Sequence, residues 1–425
     1  MKERSRVSAT MPTTIALHEI VPGLSRAMDL MCPQVVSHHA RTAYFADRLS
    51  KAAGLSARDR YEVVVAALLH DVGAFSRRER LDLLQFELQD AGRHCVAGWR
   101  LLEMCEPLKG AARLIRNHHA RWAGGREPER GCHIIHLADR VEILTPHKGD
   151  VLLKVRGIVR RLRGEAGKLF DPELVACFSE LAADEEFWMD VARFRPGKVL
   201  QGLAHGARLS INHAGLDQLA RVFSFLIDFK SPFTATHTSG VAAVAARLGE
   251  TAGLDKDTTA RLRTAGYLHD IGKLAVPSEI LEKPERLTPR EFDIMKKHPS
   301  LTRRILEATG GLADLAGWAA DHHERMDGRG YPFRVTGEGL PLPSRVMAVS
   351  DVFTALSEDR PYRKGMGKAL TLGTLEEMTR DGHLDGHLTA LIRRHYPDLD
   401  GVRKTAQREA ARTYRTFARS LERIN

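Results

Sequence analysis

Two stretches of the chain concentrate side chains that can bind divalent metal ions. One is LHDIGKL, which contains His269 and Asp270, and the other is DHHERMDGRGYP at 321–332. Imidazole nitrogens are borderline metal ligands, and a carboxylate beside them can bridge two cations. A pair of such metals can activate water for attack on phosphorus. The two stretches therefore indicate metal-dependent hydrolysis of a phosphate ester.

The same residue types also occur about 199 positions earlier in the chain. Two blocks, 38–55 and 66–75, align without a gap with 237–254 and 265–274. Each copy then has a His-His pair that begins 24 residues after another histidine. An ordered recurrence of this kind indicates a duplicated domain. The residues of the first copy that take part in this recurrence are His38, His70, Asp71, His94, His118, His119 and Asp139.

Each of these residues is weak evidence when taken alone. A lone histidine is more often a surface or core residue than a ligand, so the recurrence carries the interpretation. Four histidines have no counterpart in the repeat, and we interpret them as ordinary surface or core residues. They are His133, His136, His205 and His213.

The elements that must position these residues are predicted to be helices. Val241, Val244, Ala245 and Leu248 recur at helical spacing, and Gly253 follows as a stop signal. Alternating strand patterns are scarce. The sequence therefore predicts an all-α fold of tandem duplicated domains. The predicted boundaries are 15–183 for the first domain, 184–224 for a helical linker, 225–400 for the second domain and 401–425 for a basic C-terminal helix.

Composition limits the function classes. The formal charge of +10 suits an anionic ligand such as a nucleotide, but the basic residues are not clustered with aromatic residues as in nucleic-acid binding proteins. We expect the basic C-terminal helix to face solvent. The five scattered cysteines fit reduced, packing thiols. Because no long apolar run or signal peptide is apparent, we expect a cytoplasmic protein without a membrane contact.

Residues 225–395 resemble an HD-GYP domain, a bacterial branch of the HD phosphohydrolases that hydrolyses cyclic di-GMP. The resemblance rests on segments spread over most of this domain. They are SPFTATH ending in His237, HDIGK (269–273), LTPREFDIMKKHP containing His298, HHERMDGRGYP (322–332), Asp351 and DRPYRK (359–364).

The resemblance implies a site with two divalent metals, of which iron and manganese fit best. It assigns His237, His269, Asp270 and Asp351 to one metal. It assigns His298, His322 and His323 to the other, and Asp270 bridges the two. Asp270 is therefore expected to be the central catalytic carboxylate.

Further residues are expected to handle the substrate. Lys273 lies one helical turn past His269 and can reach a phosphate oxygen or assist the leaving group, as the family's matching lysine does. Arg360 and Arg363 resemble positions that hold the phosphates, although arginine-rich turns are commonly only solvated. Tyr331 offers an aromatic face to a guanine or to a partner surface.

Two departures from the family pattern are informative. Phe233 stands where family members with three metals have a glutamate, so the resemblance favours two metals. The first copy has Ala74 in place of the lysine, and RWAGGREP follows its His-His pair instead of a GYP loop. The first copy retains the residues that match the family's ligands, so it resembles a plain HD domain with a candidate metal site at those seven residues and without the phosphate-handling groups.

The predicted function is hydrolysis of cyclic di-GMP to pGpG or GMP in second-messenger signalling, with the first domain as a modulator or a second phosphohydrolase. Two alternatives stay open. One is hydrolysis of another cyclic dinucleotide or nucleotide. The other is a non-catalytic, nucleotide-binding adaptor whose GYP loop contacts diguanylate cyclases. Besides the cyclic dinucleotide, the candidate partners are such cyclase domains and a second copy of the chain in a homodimer.

Overall fold

The computed structural model describes residues 14–32, 37–88, 92–124, 128–147, 149–193, 209–230, 236–359 and 364–422. Within these ranges the chain is built almost entirely of helices, which confirms the all-α prediction. Four residues of the sequence analysis lie outside the described ranges. They are His205, Phe233, Arg360 and Arg363.

The first copy consists of short helices around one apolar core. They are α1 (Leu17–Asp29), α2 (His38–Ala52), α3 (Ala57–Leu69), α4 (Arg77–Asp82), α5 (Gly92–Glu103), α6 (Lys109–Ile115), α7 (Arg130–Leu144), α8 (Val155–Gly164), α9 (Pro172–Leu181) and α10 (Glu185–Ala192). Two 3-10 turns, Glu106–Leu108 and Trp122–Gly124, connect some of them. A two-residue strand, Ile15–Ala16, pairs antiparallel with Ser210–Ile211.

The second copy follows the same order. Its helices are α11 (His213–Lys230), α12 (His237–Thr251), α13 (Lys256–Leu268), α14 (Ser278–Leu281), α15 (Pro289–Met295), α16 (His298–Glu307), α17 (Ala313–Ala320), α18 (Leu342–Ser357), α19 (Lys368–Arg380), α20 (Gly386–Arg394) and α21 (Tyr396–Glu422). The 3-10 turns of this copy are Ile271–Ala275, Asp321–His323 and Gly337–Gly339.

Local sequence signals explain why the central helices of both copies match. Gly54 and Gly253 both adopt a positive φ after the second helix of each copy, a conformation that glycine takes at little cost. Ser56 and Asp255 then cap the next helix by accepting a hydrogen bond from a backbone N–H three residues on. Helices α3 and α13 therefore start at equivalent positions. Each ends directly before the His-Asp dipeptide.

The segment predicted as a linker, 184–224, is partly integrated into the two copies. Helix α10 inserts Phe187 and Trp188 into the first core, where their rings contact Phe45. Helix α11 runs through position 224 to Lys230 and precedes α12 as α1 precedes α2. The boundaries of the two domains stay a prediction.

The copies pack against each other through α1, α11 and α21. Helix α1 reaches the second copy, where the Gly310 N–H donates to the Glu19 carbonyl over 3.0 Å. Phe229, near the end of α11, stacks on Phe75 of the first copy at 4.6 Å and contacts Phe417 of α21 at 4.6 Å. One continuous apolar core therefore extends across both copies.

Helix α21 corrects one expectation. The C-terminal helix was expected to face solvent, yet Arg403, Ala410 and Phe417 are buried along one side of it. These residues pack toward α12 and the first copy, so only the other side of the helix is solvated. No helix of the described ranges combines the length and apolarity needed to cross a membrane.

Candidate metal centres

Helix ends deliver the candidate ligands of the second copy. His269 caps the end of α13, His298 opens α16, and His322 lies in the 3-10 turn after α17. Each of these rings donates its Nδ1 hydrogen to a backbone carbonyl three residues earlier, over 2.7 Å. A carbonyl can only accept, so the bond fixes the tautomer and leaves Nε2 as the ligand atom.

The Asp270 carboxylate lies between these rings. Its Oδ2 is 3.3 Å from His269 Nε2, and its Oδ1 is 3.3 Å from His298 Nε2 and 3.7 Å from His322 Nε2. Asp351 Oδ1 is 2.9 Å from His237 Nε2. The seven residues predicted as ligands therefore come together, with the two oxygens of Asp270 directed to different histidines.

The ligand atoms divide into two groups around Asp270. One contains His237, His269 and Asp351, and the other contains His298, His322 and His323, with the atoms of each group within 4.8 Å of one another. This division matches the two ligand sets that the resemblance assigned. The arrangement can hold two cations that share one carboxylate.

Several observations test whether a metal suits this site. His269 Nε2 and Asp270 Oδ1 are buried and make no hydrogen bond within the described residues. Burial lowers the pKa of His323 to about 3 and that of His322 well below its usual range, so both rings are neutral ligands at pH 7. Burial raises the pKa of Asp270, but His269 and Lys273 outweigh it and hold that pKa well below normal. The donor set fits divalent metals.

Lys273 and Tyr331 lie beside the ligands. The Lys273 Nζ is 2.6 Å from Asp270 Oδ2, and its side chain is 17% exposed. The Tyr331 ring lies 4.8 Å from the His323 ring, tilted by 35°. The lysine therefore reaches the central carboxylate, and the tyrosine covers the one imidazole of the site that is substantially open to solvent, with 29% of its side chain exposed.

Glu324 organises the GYP loop, and the sequence analysis did not single it out. Its buried carboxylate accepts hydrogen bonds from the backbone N–H groups of Phe333, Arg334 and Val335, at 2.7, 3.2 and 3.0 Å. Gly330 is required for the same packing, because a Cβ there would lie 2.5 Å from Glu324 Cα. The sequence signal that could have identified Glu324 is its position directly after the His-His pair.

A second unpredicted residue is Glu358. Its Oε1 accepts a hydrogen bond from His237 Nδ1 over 3.0 Å, which leaves Nε2 of that ring directed to Asp351. Burial lowers the pKa of His237, but Glu358 and Asp351 raise it more, to about 10. The two residues are 121 positions apart, so no local pattern could reveal the contact.

The first copy assembles an equivalent cluster. Nδ1 of His70 and of His118 donate to backbone carbonyls over 2.8 and 2.7 Å, as in the second copy. Asp71 Oδ2 is 3.4 Å from His70 Nε2, and Asp71 Oδ1 is 3.7 Å from His94 Nε2. His38 Nε2 is 3.4 Å from Asp139 Oδ1. Asp71, His94, His118 and His119 form one compact group of candidate ligands, and His38, His70 and Asp139 form another.

The first cluster differs from the second in how deeply parts of it are buried. Only 4% of the His119 side chain and 1% of the Asp139 side chain are exposed, against 29% and 12% at His323 and Asp351. Arg140 lies beside this cluster and is itself buried. Its guanidinium donates to Asp139 Oδ2 over 2.5 Å and to the backbone carbonyls of residues 83, 85 and 86, so it joins the chain after α4 to α7.

The histidines without repeat partners have varied surroundings. His136 is buried with its ring 5.2 Å from that of His119, and burial lowers its pKa to about 3. His133 contacts Trp122, and His213 lies 3.3 Å from Asp257. His39, which was not singled out, is buried, with Nδ1 2.5 Å from Asp29 and Nε2 3.9 Å from Asp71. It extends the first cluster by one imidazole.

Comparisons with known proteins agree with two related domains. Residues 35–144 and residues 221–388 each match an HD domain family. The chain is 30% identical over 393 residues to the 3′3′-cGAMP-specific phosphodiesterase 1 of Vibrio cholerae. The alignment covers 88% of this chain and 90% of the relative. The chain belongs to the HD-domain phosphodiesterases. As a tandem HD phosphodiesterase it is a member of a metal-dependent family, and its relatives act on cyclic dinucleotides.

Two further matches show the range of this family. A cyclic di-GMP phosphodiesterase of Pseudomonas aeruginosa is 38% identical over 154 residues, or 36% of this chain and 37% of the relative. A crystal structure of a cyclic GMP-AMP-specific phosphodiesterase of V. cholerae has a TM-score of 0.61 at 21% identity, covering 92% of this chain and 98% of that chain. The latter supports the tandem HD fold.

Proposed function

We propose that the second HD domain hydrolyses a 3′3′-linked cyclic dinucleotide and that it requires two divalent metals, iron or manganese. The observation that carries the proposal is the position of Asp270. Its two oxygens are directed to different groups of imidazoles, and Lys273 lies 2.6 Å away on the same carboxylate. A shared carboxylate with a cation beside it is suited to phosphodiester hydrolysis.

The residue roles in this proposal follow from their contacts. Asp270 would hold both metals, and His237, His269 and Asp351 would complete one ligand set, while His298, His322 and His323 would complete the other. The metals supply Lewis acidity and water activation when they are bound. Lys273 orients a phosphate oxygen or assists the leaving oxygen, and Tyr331 provides an apolar face for a base next to the partly exposed His323. Arg360 and Arg363 remain candidates for phosphate contacts.

The identity of the dinucleotide is the finer part of the proposal. The match to a 3′3′-cGAMP-specific enzyme extends over both domains, whereas the match to a cyclic di-GMP enzyme covers about a third of the chain. We therefore favour 3′3′-cGAMP as the preferred substrate. Hydrolysis of cyclic di-GMP to pGpG or GMP is the second candidate, supported by the higher identity of that shorter match.

For the first domain we propose metal binding without cleavage of a cyclic dinucleotide. Its ligand atoms resemble those of the second domain, but Ala74 replaces the lysine, and no GYP loop follows the His-His pair. A metal centre without groups that orient the phosphodiester loses the positioning part of catalysis. A modulatory role for this domain follows. An adaptor function, with the GYP loop contacting a diguanylate cyclase, is the non-enzymatic alternative.

The experiment compares substrates on the full-length chain. Purified protein with Mn²⁺, or with Fe²⁺ under anaerobic conditions, is incubated with 3′3′-cGAMP, cyclic di-GMP and cyclic di-AMP, and products are separated by chromatography. We expect the highest kcat/KM for 3′3′-cGAMP, lower turnover of cyclic di-GMP, and no turnover by Asp270→Ala. A preference for cyclic di-GMP would overturn the substrate choice. Binding of the dinucleotides without turnover by any metal form would favour the adaptor.

A further inference from the structure

Gln407 of helix α21 lies near the candidate metal centre, on the Nδ1 side of the His237 ring. The Gln407 Nε2 donates to Glu358 Oε2 over 2.8 Å, while Glu358 Oε1 accepts from His237 Nδ1 over 3.0 Å. On the other side, Arg403 donates to Gln407 Oε1 over 2.6 Å and to Asp400 Oδ1 over 2.6 Å. A continuous chain of hydrogen bonds therefore joins α21 to a candidate metal ligand.

The charged ends of this chain of contacts are buried. Glu358 is 5% exposed and Arg403 is 4% exposed, while Gln407 between them is half-buried. Each Gln407 amide atom has a fixed role, because the amide nitrogen meets a carboxylate and the amide oxygen meets a guanidinium. A reversed amide would direct its oxygen at the carboxylate and its NH₂ group at the guanidinium. The orientation of Gln407 is therefore determined by its two neighbours.

In the first domain a carboxylate also contacts the first histidine, but it belongs to a residue at a different position. There His38 Nδ1 donates to Glu142 Oε2 over 2.6 Å, but Glu142 aligns with Thr354 and not with Glu358, which lies about one helical turn later. Arg41 completes that arrangement, with Nε 3.4 Å from Glu142 Oε1. In both copies a glutamate accepts a hydrogen bond from Nδ1 of the first histidine. The two glutamates occupy positions that do not align, one within α7 and the other at the end of α18.

The glycine that aligns with Arg41 explains how Gln407 can reach Glu358. In the repeat Arg41 aligns with Gly240, and a Cβ built at Gly240 would lie 3.0 Å from Gln407 Nε2 and 2.9 Å from Thr354 Cγ2. The glycine therefore leaves the space that Gln407 fills. In the first copy a cationic side chain from the ligand helix itself contacts the carboxylate. In the second copy a neutral amide from α21 does so.

We propose that Gln407 is a positioning residue, which acts through Glu358 to hold the His237 ring in its metal-binding orientation. The proposal rests on the metal site assigned above. Partners in the outer shell of a metal site fix the tautomer and direction of an imidazole, and their loss typically lowers metal affinity or activity by about 10- to 100-fold. Helix α21 is thus part of the second site, although it contributes no ligand.

The test uses the full-length chain with Mn²⁺ as the probe, because α1, α11 and α21 contact both copies. Free Mn²⁺ is measured by electron paramagnetic resonance during titration of the wild type, His237→Ala, Gln407→Ala, Glu358→Ala and the double variant Glu358→Ala/Gln407→Ala. Arg408→Ala serves as the matched control, since Arg408 is exposed on the same helix. Thermal unfolding of every variant shows whether the fold is retained.

We expect Gln407→Ala to weaken, by about 10- to 100-fold, the Mn²⁺ affinity that His237→Ala identifies. Arg408→Ala should bind as the wild type does. The double variant should be no weaker than Glu358→Ala alone, because Gln407 acts through Glu358. Wild-type affinity in Gln407→Ala, or losses that add in the double variant, would overturn the proposal. If His237→Ala leaves Mn²⁺ binding unchanged, the metal site itself is wrongly assigned, which is a different failure.

Discussion

Replacement of Lys273 by alanine tests whether this side chain serves the phosphate or the metals. The ammonium lies 2.6 Å from Asp270 Oδ2, an oxygen that also faces His269 Nε2 at 3.3 Å. A metal at this oxygen would compete with the ammonium for the same charge. Removal of Lys273 should therefore leave metal affinity unchanged or slightly increased, whereas loss of a true ligand would reduce it.

The expected effect on rate follows from the charge that is removed. Two unit charges about 4 Å apart interact by roughly 4 kcal/mol at an effective dielectric constant of about 20. The partial exposure of Lys273, 17%, lets solvent screen some of this interaction. Loss of one charge-stabilising donor costs about 2.7–4 kcal/mol in measured cases, or about 10²- to 10³-fold. We expect the lower part of that range, about 10²-fold in kcat/KM.

The assay measures hydrolysis of 3′3′-cGAMP and cyclic di-GMP by the Mn²⁺-loaded variant, with metal content determined on the same samples. Lys283→Ala is the matched control, because Lys283 pairs with Glu291 at 2.7 Å on the same domain. Lys273→Arg retains the charge and should recover part of the rate. A rate equal to that of the wild type, or a loss of metal in proportion to the loss of rate, would refute the reasoning.

Four further predictions concern the division of roles between the domains, the number of metals, and the residues that support Asp139 and the GYP loop. Asp71→Ala should lower the total metal content yet leave cyclic dinucleotide hydrolysis near the wild-type rate; a comparable loss of hydrolysis would contradict a non-cleaving first domain. In that variant, elemental analysis should approach two metals per chain, since Phe233 supplies no third-site carboxylate, and a reproducible value of three would exclude this. With a chelator present, Arg140→Met should destabilise the chain by about 3–5 kcal/mol in denaturant unfolding, because the buried Asp139 loses its arginine partner; a change below about 1 kcal/mol would show that the pair is dispensable. Glu324→Ala leaves three loop N–H groups without their acceptor, so KM should rise while metal content is retained, and an unchanged KM would argue against a substrate role for the loop.

Much of the site could be predicted because the ligands lie at helix ends that repeat. The dipeptide of His269 and Asp270 recurs as His70 and Asp71, and each follows a capped helix of the same length. Residue type and order then suffice to identify the candidate ligands, since imidazole and carboxylate chemistry is carried by the side chains themselves. The all-α fold follows from the same helical periodicity.

The sequence by itself thus determined the helical class, the duplication and the candidate ligands, because each is encoded in local spacing or in the repeat. Only the tertiary structure decided how deeply each ligand is buried and which residues support the two clusters. Arg140 donates to carbonyls more than 50 residues away, and Gln407 reaches Glu358 from 49 residues along the chain. Such contacts depend on how helices pack, and side-chain packing across large sequence separations leaves no periodic signal in the sequence.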